Sequence, residues 1–296
     1  MTQEQTFTVG LDGRLVATLT LPHALAAVND APIALLTNSG VISRVGPHRL
    51  NVRIARWLAA RGTASIRFDL SGVGDSRRAP GTRPQIEQWV ADTLQVMDWA
   101  ARRFGHDAFF MVGFCSGAEV AYRTAMVDAR LRGLVLWDMV AYPTPKSRRL
   151  ALMFRLRRAG VAGVAIKAAG RARRLLGAPV PPAQKPQQLQ ALEPQQPPPL
   201  ERLAADLQTL VERGTQVKVM FCGGEPEWYS YPEQFHESMA GFPGVVRNVP
   251  CEYLAASDHL LTQRASRDAF VASLQRWFDD ALMQNIAPPL PSARVA

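Results

Sequence analysis

The segment with the clearest chemical potential is Phe109-Phe110-Met111-Val112-Gly113-Phe114-Cys115-Ser116-Gly117-Ala118-Glu119. An apolar strand-like run passes into a helical pattern through a tight turn, with glycine two residues before and two after a cysteine. A turn this sharp strains the backbone at the nucleophile and leaves no room for larger flanking side chains. The spacing therefore makes Cys115 a candidate nucleophile. Taking Ser116 instead would put Phe114 where the turn demands a small residue, so that register is rejected. With Cys115 at the turn, the Ser116 backbone N–H opens the helix, where it could donate to an oxyanion and where the helix dipole favours a thiolate.

A nucleophile of this kind needs a base and an orienting acid. Of five histidines, His259 in Ser257-Asp258-His259-Leu260 falls between the last strand and the last helix. His23, His106 and His236 sit in edge, turn and helix patterns and read as surface or packing. His48 is the competitor, read as a loop residue or a substrate contact. For the acid, the candidates are Glu225 and Glu227 in Gly223-Gly224-Glu225-Pro226-Glu227, which follows an apolar strand, and Asp138 at the end of the preceding strand. Each of the three carboxylates could equally be a solvated loop residue. The acid's task would be to hold the imidazole tautomer and stabilise the imidazolium.

Alternation of strand and helix positions these residues. Residues 6 to 21 read as an antiparallel hairpin around Asp12-Gly13. Strands are expected at Ile33 to Thr37, Ala64 to Asp69, Ala108 to Gly113, Gly133 to Trp137, Val217 to Cys222 and around Val245 to Tyr253. Helices are expected at 48–61, 85–103, 116–128, 200–213, 233–241 and 262–283. Parallel strands need helical crossovers, so the class is α/β. The rhythm breaks at 143–199, which holds two basic helical stretches (147–158 and 162–176) and a Pro/Gln-rich passage from 181 to 199. The expected organisation is a core of 1–142 and 200–285, an insertion at 143–199 and a disordered tail at 286–296.

Through the elbow, His259 and this alternation, the chain resembles the α/β-hydrolase superfamily over nearly its whole length apart from 143–199. The resemblance implies a mostly parallel eight-stranded sheet, a triad in the order nucleophile, acid, histidine, and a cap inserted after the sixth strand, where the basic segment falls. It also implies Glu227 as the first choice of acid, with Glu where the family's Gly-x-x-Asp has Asp, and leaves Glu225 and Asp138 as alternatives. Thr37-Asn38-Ser39-Gly40-Val41 follows the third strand, where the family places its second oxyanion donor, which implicates Ser39 and Gly40. Phe68-Asp69-Leu70-Ser71-Gly72-Val73-Gly74-Asp75-Ser76 looks like the family's Asp-x-x-Gly-x-Gly-x-Ser loop. Together with Arg44-Val45-Gly46-Pro47-His48-Arg49, these segments resemble bacterial hydrolases found alongside exosortase systems. At the elbow the chain resembles dienelactone hydrolases, which share Gly-x-Cys-x-Gly. The activity implied is ester or thioester hydrolysis through an acyl-cysteine. The alternatives are acyl transfer or cyclisation on the same residues, and a non-catalytic binding protein on the same scaffold.

Bulk properties narrow the partners. The net charge of +9 is concentrated between residues 139 and 192, which hold eleven Lys or Arg and no Asp or Glu. Outside that segment basic and acidic residues nearly balance. Three readings fit the basic insertion: a solvated lid over the site, recognition of an acidic carrier protein, coenzyme A or anionic substrate with Arg148 and Arg149 as contacts, or shallow attachment to anionic lipid. Nucleic acid fits least, since no aromatics interleave with the basic residues. Three scattered cysteines suit neither a disulfide framework nor a zinc site, and no metal or organic cofactor is implied. No apolar span or secretory pattern is seen, so the expected compartment is the cytoplasm.

Overall fold

The computed structural model describes residues 2–10, 12–22, 32–38, 40–158 and 197–282. Its strands are β1 (Gln3–Val9), β2 (Leu15–Leu21), β3 (Ile33–Leu36), β4 (Ser65–Phe68), β5 (Phe109–Phe114), β6 (Leu131–Trp137), β7 (Gln216–Cys222) and β8 (Cys251–Leu254). They form one sheet in the order β1-β2-β4-β3-β5-β6-β7-β8. The expected hairpin is present, with β1 antiparallel to β2 and β2 antiparallel to β4, and every other pairing is parallel. All six residues of β5 are buried, because helices cover both faces of this central strand.

The helices are α1 (Leu50–Ala60), α2 (Gln85–Phe104), α3 (Ser116–Val127), α4 (described over 145–158), α5 (Leu200–Glu212), α6 (Gln234–Ser238), α7 (Pro243–Asn248) and α8 (Arg264–Trp277). On one face, Ile54 and Leu58 of α1 meet Phe270, Leu274 and Trp277 of α8 against Phe110, Val112 and Phe114. On the other, Trp89 and Val96 of α2, Val120 of α3 and Leu203 and Leu207 of α5 cover Phe109, Met111 and Leu134. The alternation of β5 side chains between these two clusters follows from the two-residue period of a strand.

One expected strand is shorter than its sequence suggests. The run from Val245 to Tyr253 splits into α7 and β8, and only Cys251–Leu254 is strand. Pro243 stands in the first turn of α7, where its missing N–H costs nothing, and buried Val245 and Val249 follow helical spacing. A short apolar run does not distinguish the two periods by itself.

In the basic segment, α4 starts at a reciprocal cap. Thr144 N–H donates to Ser147 Oγ at 2.8 Å, and Ser147 N–H donates to Thr144 Oγ1 at 3.0 Å. The helix expected at 162–176, the passage from 181 to 196 and the tail at 286–296 lie outside the described residues. Among the described residues no helix is long and apolar enough to cross a membrane.

Candidate active site

The ends of β5, β6 and β7 carry the parallel ladder beyond the strands themselves. Cys115 N–H donates to Trp137 O (2.9 Å), Asp138 N–H to Met220 O (2.8 Å) and Gly223 N–H to Leu254 O (3.1 Å). Residues leaving the carboxyl edge of the sheet are thereby held at fixed heights, where α/β sheets bind ligands.

Cys115 occupies a backbone conformation of φ 54°, ψ −118°, in the region L-residues avoid, directly before α3. A Cβ on Gly113 would overlap the Gly117 carbonyl, and one on Gly117 would overlap the Asn38 carbonyl. Both glycines are thus required by contact with backbone, which fits the register that places the thiol at the turn. Phe114 is buried between Trp137 and Phe270, and Ser116 becomes the first residue of α3. As a first-turn amide its N–H has no intrahelical acceptor.

His259 is set by the turn after β8. Its carbonyl accepts from Trp137 Nε1 at 3.0 Å, and Asp258 closes the following turn by accepting Thr262 N–H at 2.9 Å. Its imidazole Nδ1–H donates to Asp138 Oδ2 at 2.8 Å. Asp138 has φ 46°, its side chain is 4% exposed, and its other oxygen accepts Cys222 N–H at 2.8 Å. The carboxylate is fixed between two strands and aimed at the imidazole. Hydrogen bonds to Asp138 and then Cys115 push the His259 pKa up to about 10, against burial, which acts the other way.

The carboxylate paired with His259 is therefore Asp138 and not Glu227, the first expectation. Glu227 points outward and accepts from Arg155 Nε of α4 at 2.6 Å, both side chains being exposed. The physical reason is reach. Asp138 leaves the strand adjacent to β5 with a short side chain, whereas the turn after β7 carries Glu227 past the sheet edge. Glu225, the other alternative, does line the cavity with Cys115, Asp138, His259 and Trp228, a space of about 290 Å³. Trp228 was missed in the sequence, since a lone tryptophan in a loop carries no periodic signal.

The loop after β3 is brought against the elbow, but not as expected. Gly40 N–H, an expected oxyanion donor, donates instead to Ser116 Oγ at 2.9 Å. Ser39 lies outside the described residues. Buried Asn38 secures this loop by donating to Ile42 O (2.9 Å) and Asp69 Oδ1 (2.8 Å) while accepting Leu70 N–H (2.6 Å). Fully buried Asp69 also binds Arg44 Nη1 at 2.5 Å. The Asp-x-x-Gly-x-Gly-x-Ser segment thus serves as an anchor for the loop beside the elbow. His48 (φ 49°) is exposed in the turn before α1. It is not among the residues lining the cavity, nor are Arg148 and Arg149.

The other thiols differ in kind. Burial pushes Cys222 up to about 12, with Asp138 adding to the effect, and burial pushes Cys251 up to about 12. Both are held as thiols at neutral pH. Among the described residues no group of His, Cys, Asp and Glu could hold a metal ion.

The sheet order, the crossovers and the elbow define an α/β-hydrolase fold. The family model for serine aminopeptidases of the S33 type matches residues 45–217, and the chain belongs to that family. That family usually uses a serine nucleophile. Solved structures repeat the fold. Est1E from Butyrivibrio proteoclasticus, determined with ferulic acid bound, is 16% identical over 93% of this chain and 98% of its own, with a TM-score of 0.56. A provisionally assigned dienelactone hydrolase from Klebsiella pneumoniae is 15% identical over 95% and 99%, with a TM-score of 0.56. The meta-cleavage product hydrolase from Pseudomonas fluorescens is 16% identical over 94% and 98%, with a TM-score of 0.54. No curated protein matches the sequence.

Proposed function

We propose that the chain hydrolyses an ester or thioester through a covalent acyl-cysteine, with Cys115 as nucleophile, His259 as proton carrier and Asp138 as the orienting acid. The observation that carries this reading is the alignment at one cavity of an elbow cysteine, an imidazole and a buried carboxylate whose second oxygen is fixed by Cys222 N–H. In the first step Cys115 Sγ attacks the carbonyl carbon and the bond to the leaving group breaks. The departing thiolate or alkoxide takes the proton of His259. In the second, water gives a proton to His259 as its oxygen attacks the acyl-cysteine, and Cys115 leaves as thiolate. The Ser116 N–H, at the positive end of α3, faces the developing oxyanion. Cysteine suits thioester substrates, since attack exchanges one thiolate for another.

The test is to mix the protein with acetyl thioesters and aryl esters, follow release of the leaving group and map any acyl adduct by mass. An adduct on Cys115, turnover abolished in Cys115→Ala and His259→Ala, and a loss of about 10²–10⁴-fold in Asp138→Asn are expected. Glu227→Gln should remain within about twofold of the parent, because its partner is Arg155. Full activity in Asp138→Asn, or an adduct elsewhere, would overturn the assignment. Acyl amides or esters appearing in place of the free acid would make the reaction a transfer.

A further inference from the structure

The turn after β7 contributes two residues to the cavity, and its backbone is held firmly. Trp228 N–H and Tyr229 N–H donate to Glu225 O at 2.8 and 2.9 Å. Ser230 Oγ donates to Pro226 O at 2.7 Å. Buried Gln234 clamps the far end, accepting Ser230 N–H at 2.8 Å and donating to Trp228 O at 3.2 Å. Glu225 and Trp228, both exposed and both lining the cavity, are therefore carried by one hydrogen-bonded turn.

Among the described residues the charges of that cavity do not balance. Asp138 is matched by His259, and Glu227 on the same turn is matched by Arg155 outside. Glu225 lines the cavity and forms no ion pair among the described residues. Beside it Trp228 keeps 48% of its surface exposed, unusual for a large apolar side chain on a turn so well fixed. A carboxylate next to an open indole face is the chemistry that receives a cationic nitrogen, by charge and by cation–π attraction. Among the described residues that line the cavity, the carboxylates of Asp138 and Glu225 face a single basic side chain, His259.

We infer that the cavity selects acyl groups bearing a protonated amine or quaternary ammonium, with Glu225 as counter-charge and Trp228 as the wall of the ammonium site. The inference rests on the acyl-cysteine reading for its chemistry, but the charge preference depends on Glu225 and Trp228. An isosteric pair tests it: N-acetylcysteamine thioesters of butanoic and 3-aminopropanoic acid, which exchange a methyl for an ammonium group. At pH 7 the ratio of kcat/KM, ammonium over neutral, should be roughly tenfold higher in the parent than in Glu225→Gln. Comparing ratios cancels the intrinsic reactivity of the two thioesters. Glu225→Asp should recover part of the ratio, Trp228→Leu should lower it, and Glu227→Gln should not change it.

A second readout needs no turnover. Methanethiosulfonates carrying trimethylammonioethyl or sulfonatoethyl groups form a disulfide with Cys115 Sγ and expel methanesulfinate. The ratio of their labelling rates, cationic over anionic and read by peptide mapping, should also fall by roughly tenfold in Glu225→Gln. Ratios that do not differ between parent and Glu225→Gln would overturn the inference. A charge preference in labelling by a protein that cleaves no acyl substrate would remove the acyl-cysteine reading and leave this one standing.

Discussion

His259 sits between a carboxylate and a sulfur, and its protonation reports whether that arrangement holds in solution. The ordinary value for the side chain is 6.5, and here it is pushed up to about 10 by Asp138 and then Cys115. Because the folded value is the higher one, the fold favours the imidazolium. That stabilisation is complete below the unfolded value and is lost as pH rises from about 6.5 through about 10. The resonance of the His259 ring should show one late transition near pH 10, moving downward in Asp138→Asn. The urea midpoint of the parent should fall between about pH 7 and 10 more than that of His259→Gln. Titration of His259 near 6.5 in the parent would mean that the hydrogen bond to Asp138 is not formed.

Between β5 and α3 the turn itself depends on two glycines. Gly113 meets the carbonyl of Gly117, and Gly117 meets the carbonyl of Asn38, so neither neighbour is a side chain that can swing aside. Gly113→Ala should therefore force the strand away from the helix, costing about 3 kcal/mol in urea unfolding and removing activity even in the fraction that remains folded. Gly241 is the matched control. Nothing lies within 4 Å of a Cβ built there, and Gly241→Ala should stay within about 0.5 kcal/mol of the parent. Equal stability of the two variants would show that the elbow has more slack than its geometry implies.

Along the whole chain, positive charge is gathered between residues 139 and 192, while Glu225 lines the cavity. On α4, Lys146 is committed to Glu233 and Glu237, and Arg155 to Glu227. Arg148, Arg149, Arg157 and Arg158 have no such partner among the described residues, and Leu152 and Met153 are exposed beside them. We propose that these arginines read an acidic carrier or coenzyme A as the leaving group. Replacing the four arginines by glutamine should raise KM for a carrier-bound or coenzyme A thioester about tenfold or more, with little change for a neutral aryl ester. The difference should shrink as salt rises, since the screening length falls from about 10 Å at 0.1 M to about 3 Å at 1 M. Equal effects on both substrates would leave α4 as a cover without a charge-reading role.

The local sequence was sufficient for the α/β class, the strand and helix alternation and the elbow register, because each depends on spacing over a few residues. Period, flanking glycines and the size of Phe114 act within one turn or one strand. The reciprocal cap at Thr144 and Ser147 is local too, yet it was not read from the sequence, and that helix starts two residues earlier than expected. The split of Val245 to Tyr253 depended on packing against α5, where Gly244 comes up against Gln208. Which carboxylate meets His259 was beyond any local signal. Glu227 has a suitable spacing after β7, but the order of β5, β6, β7 and β8 puts Asp138 beside the imidazole, and the φ of 46° that aims it is imposed by bonds to Met220 and Cys222. Gly40 shows the same limit, since the partner of its N–H is Ser116, 76 residues away in the chain. Spacing fixes what neighbours in sequence can do, whereas a hydrogen bond between distant residues is chosen only when the sheet has set their separation.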